Sequence, residues 1–160
     1  MSTFTIVHVA ISLVGILTGL IVAFGLLASK RLDGLTAIFL VTTVATSVTG
    51  FFFPFHGITP GIVIGIISMV ALAIAILARY VGHLAGPSRW IYVVTAMIAL
   101  YLNCFILVVQ LFEKVPALHA LDPTQSGPPF KFTQLTVLAL FVVLTIAAAI
   151  RFRIAPARAS

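Results

Sequence analysis

Five runs of apolar residues follow one another along the chain, separated by polar or proline-containing segments. Each run has about 20 residues, the length that an α-helix needs to cross the roughly 30 Å hydrocarbon layer of a bilayer. Because no water is available in that layer, the backbone must satisfy its own hydrogen bonds, which favours helices over open strands. We therefore predict an all-α bundle in a single membrane domain, residues 1–160. The expected transmembrane helices are about residues 4–28, 34–53, 60–78, 90–112 and 132–150.

The prolines support these boundaries, since all eight fall in connections, near helix starts or in the tail. The longest connection covers residues 113–131. A short helix over 115–121 is predicted to lie on the membrane surface, and Asp122 is expected to mark its end. The Pro128-Pro129 pair predicts an extended approach to the last span.

The lysines and arginines set the expected orientation, because cytoplasmic loops carry an excess of them. With five spans, one side receives seven basic residues and the other receives two. The richer side holds Lys30, Arg31, Arg79, Arg89, Arg151, Arg153 and Arg158. The poorer side holds Lys114 and Lys131. The N-terminus is therefore predicted to be extracytoplasmic and the C-terminus cytoplasmic.

The composition indicates the same class of protein. Hydrophobic residues make up 62% of the chain and charged residues 8%, whereas a soluble domain carries about 25% charged residues. Three acidic and nine basic side chains cannot cover the surface of an independent soluble domain. The formal net charge of +6 is spread over short loops and tails, which argues against nucleic-acid binding. The lipid bilayer is the expected surrounding, and a bacterial inner membrane the expected location.

Small residues recur at four-residue spacing on two of the predicted helices. Gly15 and Gly19 form such a pair on the first span, and Gly61 and Gly65 form one on the third. Small residues let helix backbones approach closely, and close packing drives association in lipid. These four glycines are predicted helix-packing positions, either within the bundle or between subunits.

Polar residues inside apolar runs are costly and therefore informative. In a helical projection at about 100° per residue, polar side chains of the first, second and fourth spans fall on single faces. With the predicted orientation, most of them lie in the outer half of the bilayer, where they predict a polar crevice open to the extracytoplasmic side. The candidate ligand-binding residues are His8, Ser12, Thr46, Asn103, Gln110 and Lys114.

A structural role competes with the crevice for each of these residues. Serine and threonine can bond to a carbonyl one turn back in their own helix, and we expect this for most of the threonines. Asn103 and Gln110 need partners from outside their helix, because an amide in lipid cannot satisfy itself. Bonding between helices is the first expectation for both, and ligand contact the second. Lys114 can extend to the headgroups.

Three histidines and one cysteine complete the candidate chemistry. His8, His56 and His119 are predicted on the extracytoplasmic side, where they could bind zinc or copper. No two of them have the spacing of a ligand pair, which favours separate packing or loop roles. Cys104, alone in the chain, cannot form an internal disulfide, and at mid-span it behaves as a small apolar residue.

These observations predict a protein that is not an enzyme. No acidic residue lies within a predicted span, and no oriented pair of nucleophile and base is evident. The leading hypothesis is a non-catalytic accessory or assembly subunit that packs against a second copy of itself or against a larger membrane complex. The first alternative is a binder or conductor of a small molecule, lipid or cofactor through the outer crevice. The second is a histidine-ligated metal or haem protein. The sequence identifies no particular cofactor.

Overall fold

The computed structural model describes residues 1–153, and these form helices and connections without a strand. Arg158, one of the basic residues used to predict the orientation, lies outside the described range. Five of the helices are long and apolar enough to cross a membrane, which confirms the predicted number of apolar helices. The helices are α1 (Thr3–Leu27), α2 (Asp33–Gly50), α3 (Pro60–Ile76), α4 (Pro87–Lys114), α5 (Pro116–Leu121) and α6 (Pro128–Arg151). A π-helical turn, Leu77–Val81, extends α3.

Proline begins several of these helices, and this corrects one prediction. Residues 128 and 129 do not form an extended approach, because α6 already begins at Pro128. The first turn of a helix leaves its N–H groups without helical acceptors, so proline loses nothing there and its fixed φ angle suits the helix. The same effect starts α4 at Pro87, a few residues before the predicted span. The short helix expected in the long connection is present as α5, and Asp122 follows it.

The α4 helix is the centre of the bundle, since it packs against α1, α2, α3, α5 and α6. Its side chains dominate the core: Tyr92, Val93, Ala99 and Leu100 are at most 1% exposed. A central helix of this kind must be apolar on most of its circumference. Because the other long helices surround α4, much of their own surface faces outward.

The connection after α1, the start of α4 and the end of α6 meet at one end of the bundle. The hydroxyl of Ser29, just after α1, donates to the carbonyl of Arg153 at 2.7 Å and accepts from its backbone N–H at 2.9 Å. The guanidinium of Arg89 donates to the carbonyls of Ala149 and Phe152 at the end of α6. A cation there also complements the partial negative charge of the helix C-terminus. We call this the basic end; it carries Lys30, Arg31, Arg79, Arg89, Arg151 and Arg153.

The glycines predicted to pack helices differ in their surroundings. A Cβ atom at Gly19 would lie 2.6 Å from a methyl of Leu100 and 2.8 Å from the Phe39 ring. At Gly15 the nearest atoms would be threonine hydroxyls of α2 at 3.1 and 3.2 Å, and at Gly65 the Phe51 ring at 3.0 Å. Gly61 is exposed, and a Cβ there would meet only Thr59, the capping residue of its own helix, at 3.7 Å.

Replacement of Gly19 by alanine should destabilise the fold. The side chains of Phe39 and Leu100 are 1% exposed and cannot retreat without disturbing the core, so overpacking should lower the free energy of unfolding by about 1–3 kcal/mol. Gly61→Ala is the matched control and should change it by less than about 0.5 kcal/mol. Unfolding in detergent micelles measures both, and equal stabilities would contradict the close approach at Gly19.

Candidate functional site

His8 and Thr49 join α1 to α2 at the end of the bundle opposite the basic end. The Nδ1 atom of His8 lies 2.7 Å from Thr49 Oγ1, and the Thr49 hydroxyl donates to the carbonyl of Ala45 at 2.7 Å. A hydroxyl can donate one hydrogen bond and accept another, so Thr49 bonds the carbonyl of its own helix and the His8 ring at the same time. The ring also packs edge-on against Phe53, at 5.0 Å between centroids. This arrangement gives His8 a role in holding two helices together.

Two other candidate residues bond within their own helices. Ser12 donates to the carbonyl of His8 at 2.7 Å, and Thr46 donates to that of Thr42 at 2.8 Å. Threonines of α4 and α6 do the same, including Thr95 and Thr145. The expectation that most threonines bond one turn back is therefore confirmed.

The remaining candidate residues lie along α4. Asn103 is half-buried, and its Nδ2 atom is buried without a hydrogen-bond partner among residues 1–153. Gln110 is half-buried, and Lys114 is exposed as the last residue of the helix. Within the described range no hydrogen bond joins these three side chains to His8, Ser12 or Thr46. The structure thus separates the candidates into a bonded group on α1 and α2 and a second group on α4.

An amide on α6 makes the bond between helices that was expected of α4. Gln134 is buried, and its Nε2 atom donates to the carbonyl of Phe105 at 3.2 Å. Its Oε1 atom has no partner within residues 1–153. The sequence signal was available, since an amide inside an apolar run needs a partner from outside its helix.

A buried arginine lies in the π-helical turn at the basic end. The side chain of Arg79 is 1% exposed. Its Nη2 atom donates to Asp33 Oδ1 at 2.5 Å and to the carbonyl of Arg31 at 3.3 Å. The Tyr92 ring lies 5.1 Å from the guanidinium carbon, within range of a cation–π contact. Arg79 therefore ties α2, α3 and α4 together, a role that the orientation argument did not foresee.

The buried stripe of α3 explains why this arginine points inward. Ala71, Leu72 and Ala75 are buried at helical spacing, and Arg79 follows Ala75 by one turn. A buried guanidinium is tolerated only when it is paired and hydrogen-bonded. Asp33 supplies the pairing charge while remaining 69% exposed itself.

Asp122 is the second charged side chain that the fold buries. At 4% exposed, its carboxylate accepts from the backbone N–H groups of Ser126, Gly127 and Phe130. These donors lie at the start of α6, where the helix N-terminus favours a negative charge. A Cβ atom at Gly127 would lie 3.0 Å from the carboxylate, so glycine leaves room for this contact. Asp122 thus caps α6 and fixes the long connection.

The histidines do not form a metal site in the part of the chain that the structure describes. No group of three or more His, Cys, Asp or Glu side chains suited to holding a metal ion occurs among residues 1–153. His56 and His119 are exposed on separate connections, and His8 bonds to Thr49. The geometry therefore gives no support to a site built from these three residues.

An apolar groove of about 220 Å³ lies between α4 and α6. Met97 and Tyr101 of α4 form one wall, and Leu138 and Phe141 of α6 form the other. The Tyr101 and Phe141 rings pack at 5.6 Å between centroids. A groove of this lining suits hydrocarbon or an apolar side chain.

The chain matches no protein-family model, no curated protein and no solved structure.

Removal of the Asp33 carboxylate should destabilise the protein more than removal of its buried partner. Asp33→Ala leaves the Arg79 charge buried and uncompensated, which should cost about 3 kcal/mol of unfolding free energy. Adding Arg79→Met removes that charge and should restore most of the loss. Unfolding of both single variants and the double variant in micelles measures the coupling.

Arg31→Gln is the control, because Arg31 bonds the same Asp33 oxygen at 3.3 Å from an exposed position. It should cost less than about 1 kcal/mol. Since Asp33 also begins α2, its loss affects the helix terminus in the single and double variants alike. Strictly additive effects of Asp33→Ala and Arg79→Met would show that the buried pair is not coupled.

Proposed function

We propose that this chain is a non-catalytic accessory or assembly subunit of the bacterial inner membrane, with its N-terminus extracytoplasmic and its C-terminus cytoplasmic. Its partner would be a second copy of the chain or a larger membrane complex. The observation that carries the proposal is the exposure of α6. Only 17% of its candidate membrane span is buried, compared with 44% for α4. The last helix therefore presents most of its surface outward.

The outward surface of α6 has the character of a helix-packing face. Leu135, Ala139, Val143, Ile146 and Ile150 follow one another at helical spacing and are all exposed. The stripe combines branched apolar side chains with one small residue, and association in lipid depends on such close packing. The α6 helix packs chiefly against α4 and α1, and the five stripe residues remain exposed within residues 1–153.

The polar groups of the bundle support a structural function. The His8 ring, the Ser12 and Thr46 hydroxyls and the Arg79 guanidinium all bond within the fold. Bonds of this kind hold the helices in one arrangement and occupy the atoms that a reaction would need. A rigid bundle with an open apolar face fits a subunit that docks in the membrane.

Native mass spectrometry after gentle detergent extraction tests the proposal. The wild-type chain should carry a second copy or a membrane protein in stoichiometric amount. Val143→Trp places a bulky ring in the middle of the α6 stripe. Because the ring would overpack the contact with the partner, the amount of the complex should fall at least about tenfold. Val143 is 65% exposed, so the variant itself should fold.

Val70→Trp on α3 is the matched control, because Val70 is a 56% exposed valine on another long helix. It should leave the assembly unchanged. A monomer without any partner would contradict the proposal, and so would equal loss of the partner in both tryptophan variants.

One observation favours a second candidate function, the binding of a small molecule through the outer crevice. The Asn103 Nδ2 donor is buried and lacks a partner within residues 1–153. A buried amide donor without an acceptor costs free energy, and a ligand carbonyl or water could supply the acceptor. Gln110, about two helical turns further along the same face of α4, would lie nearer the mouth of such a crevice.

Cysteine accessibility distinguishes this candidate. In a Cys104→Ala background, cysteines replacing Ser12, Thr46 and Asn103 should react with a water-soluble thiol reagent faster than a lipid-facing cysteine replacing Val70 on α3. The reason is that thiolate formation requires water. Equal rates at all four positions would exclude a hydrated crevice.

A further inference from the structure

The basic side chains at the basic end fall into two groups. Arg79 and Arg89 are committed to contacts inside the fold, with Asp33 and with carbonyls at the end of α6, and Arg31 pairs with Asp33 as well. Lys30, Arg151 and Arg153 are exposed, and their side chains form no ion pair within residues 1–153. We call these three residues the basic cluster.

The fold brings the basic cluster together from two distant parts of the sequence. Ser29 precedes Lys30, and its hydroxyl bonds both the N–H and the carbonyl of Arg153, 124 residues away. Arg151 is two residues before Arg153, at the last turn of α6. Arg89 fixes the same turn by bonding the carbonyls of Ala149 and Phe152. The three cations are therefore held around one junction.

Exposed apolar side chains border this junction. Ile150, which precedes Arg151, is 62% exposed, and Trp90, which follows Arg89, is 51% exposed. Tryptophan is enriched where a membrane protein meets the headgroup region. A ligand that satisfies both features must be amphipathic, with an anionic head and an apolar body.

We propose that the basic cluster binds the anionic headgroup of a membrane phospholipid, with the acyl chains lying along the apolar side of α6. Guanidinium groups suit the two oxygens of a phosphodiester, and the lysine adds a point charge. Clustered Lys and Arg side chains next to membrane helices attract anionic lipids in this way. The apolar border favours a lipid over a soluble phosphate or an acidic peptide. Ile150 also belongs to the α6 stripe, so the lipid site lies beside the protein contact proposed above. The lipid measurement described below does not depend on that contact.

The opposite end of the bundle provides an internal control. Lys114 and Lys131 are exposed there, but Glu113 is the neighbour of Lys114 and Asp122 lies in the same connection. Basic and acidic side chains are balanced at that end, so it should not select an anionic lipid.

Lipid binding by the purified full chain in neutral detergent tests the proposal. Native mass spectrometry measures the dissociation constants of dioleoyl phosphatidylglycerol and of phosphatidylcholine with the same acyl chains. The wild type should prefer phosphatidylglycerol. Combining Lys30→Gln, Arg151→Gln and Arg153→Gln should weaken that lipid at least about tenfold. Lys114→Gln with Lys131→Gln should leave its affinity unchanged.

Two further measurements keep the test independent of how the triple variant folds. The charge-conserving set Lys30→Arg, Arg151→Lys and Arg153→Lys should retain the preference. For the wild type, raising salt from about 0.1 M to about 1 M shortens the screening length from about 10 Å to about 3 Å, so the preference should decline.

Several outcomes overturn the proposal. These are equal affinity for the two lipids, a triple variant that binds phosphatidylglycerol like the wild type, and a two-lysine control that loses as much affinity as the triple variant. A lipid preference that does not change with salt concentration would be another. Displacement of the lipid by inorganic phosphate at equal concentration would also overturn it, because the acyl chains would then contribute nothing.

Discussion

The constraint on which this structure depends is that its polar groups must find partners inside the fold, because the outside of the bundle is apolar. Exposed leucine, isoleucine, valine and phenylalanine side chains occur along all five long helices. A surface of this kind is stable in hydrocarbon. Each backbone N–H or C=O group left there without a hydrogen bond costs several kcal/mol of free energy. Helices satisfy the backbone, and back-bonding satisfies most serine and threonine hydroxyls within the same helix.

The side chains that cannot satisfy themselves connect the helices instead. His8 bonds Thr49 and joins α1 to α2, while Gln134 bonds the Phe105 carbonyl and joins α6 to α4. Arg79 and Asp33 join α3 to α2. The bonded residues are 41, 29 and 46 positions apart in sequence, so the need to bury polarity also helps to fix how the helices pack. A few buried polar atoms, above all Asn103 Nδ2, have no partner within residues 1–153, and a ligand or water could bond to them.

The apolar runs predicted the number of helices because length and backbone chemistry act locally. Prolines bounded the runs, but their effect was misjudged at Pro128, where proline starts a helix rather than preceding it. The buried charges could not be foreseen in the same way. Asp33 and Arg79 are 46 residues apart, and only the packed fold brings them into contact. The helical spacing from Ala75 to Arg79 did contain a signal, because it puts the arginine on the buried stripe of α3.

The central claim is that the chain crosses the bilayer five times and leaves its basic end in the cytoplasm. The most direct measurement fuses two reporters, in separate copies, after Ser160: a fluorescent protein that matures only in the cytoplasm, and a phosphatase that is active only outside it. We expect a fluorescent cell with the first fusion and no phosphatase activity with the second, because the basic residues should be retained inside. An active phosphatase and a dark fluorescent fusion would contradict it.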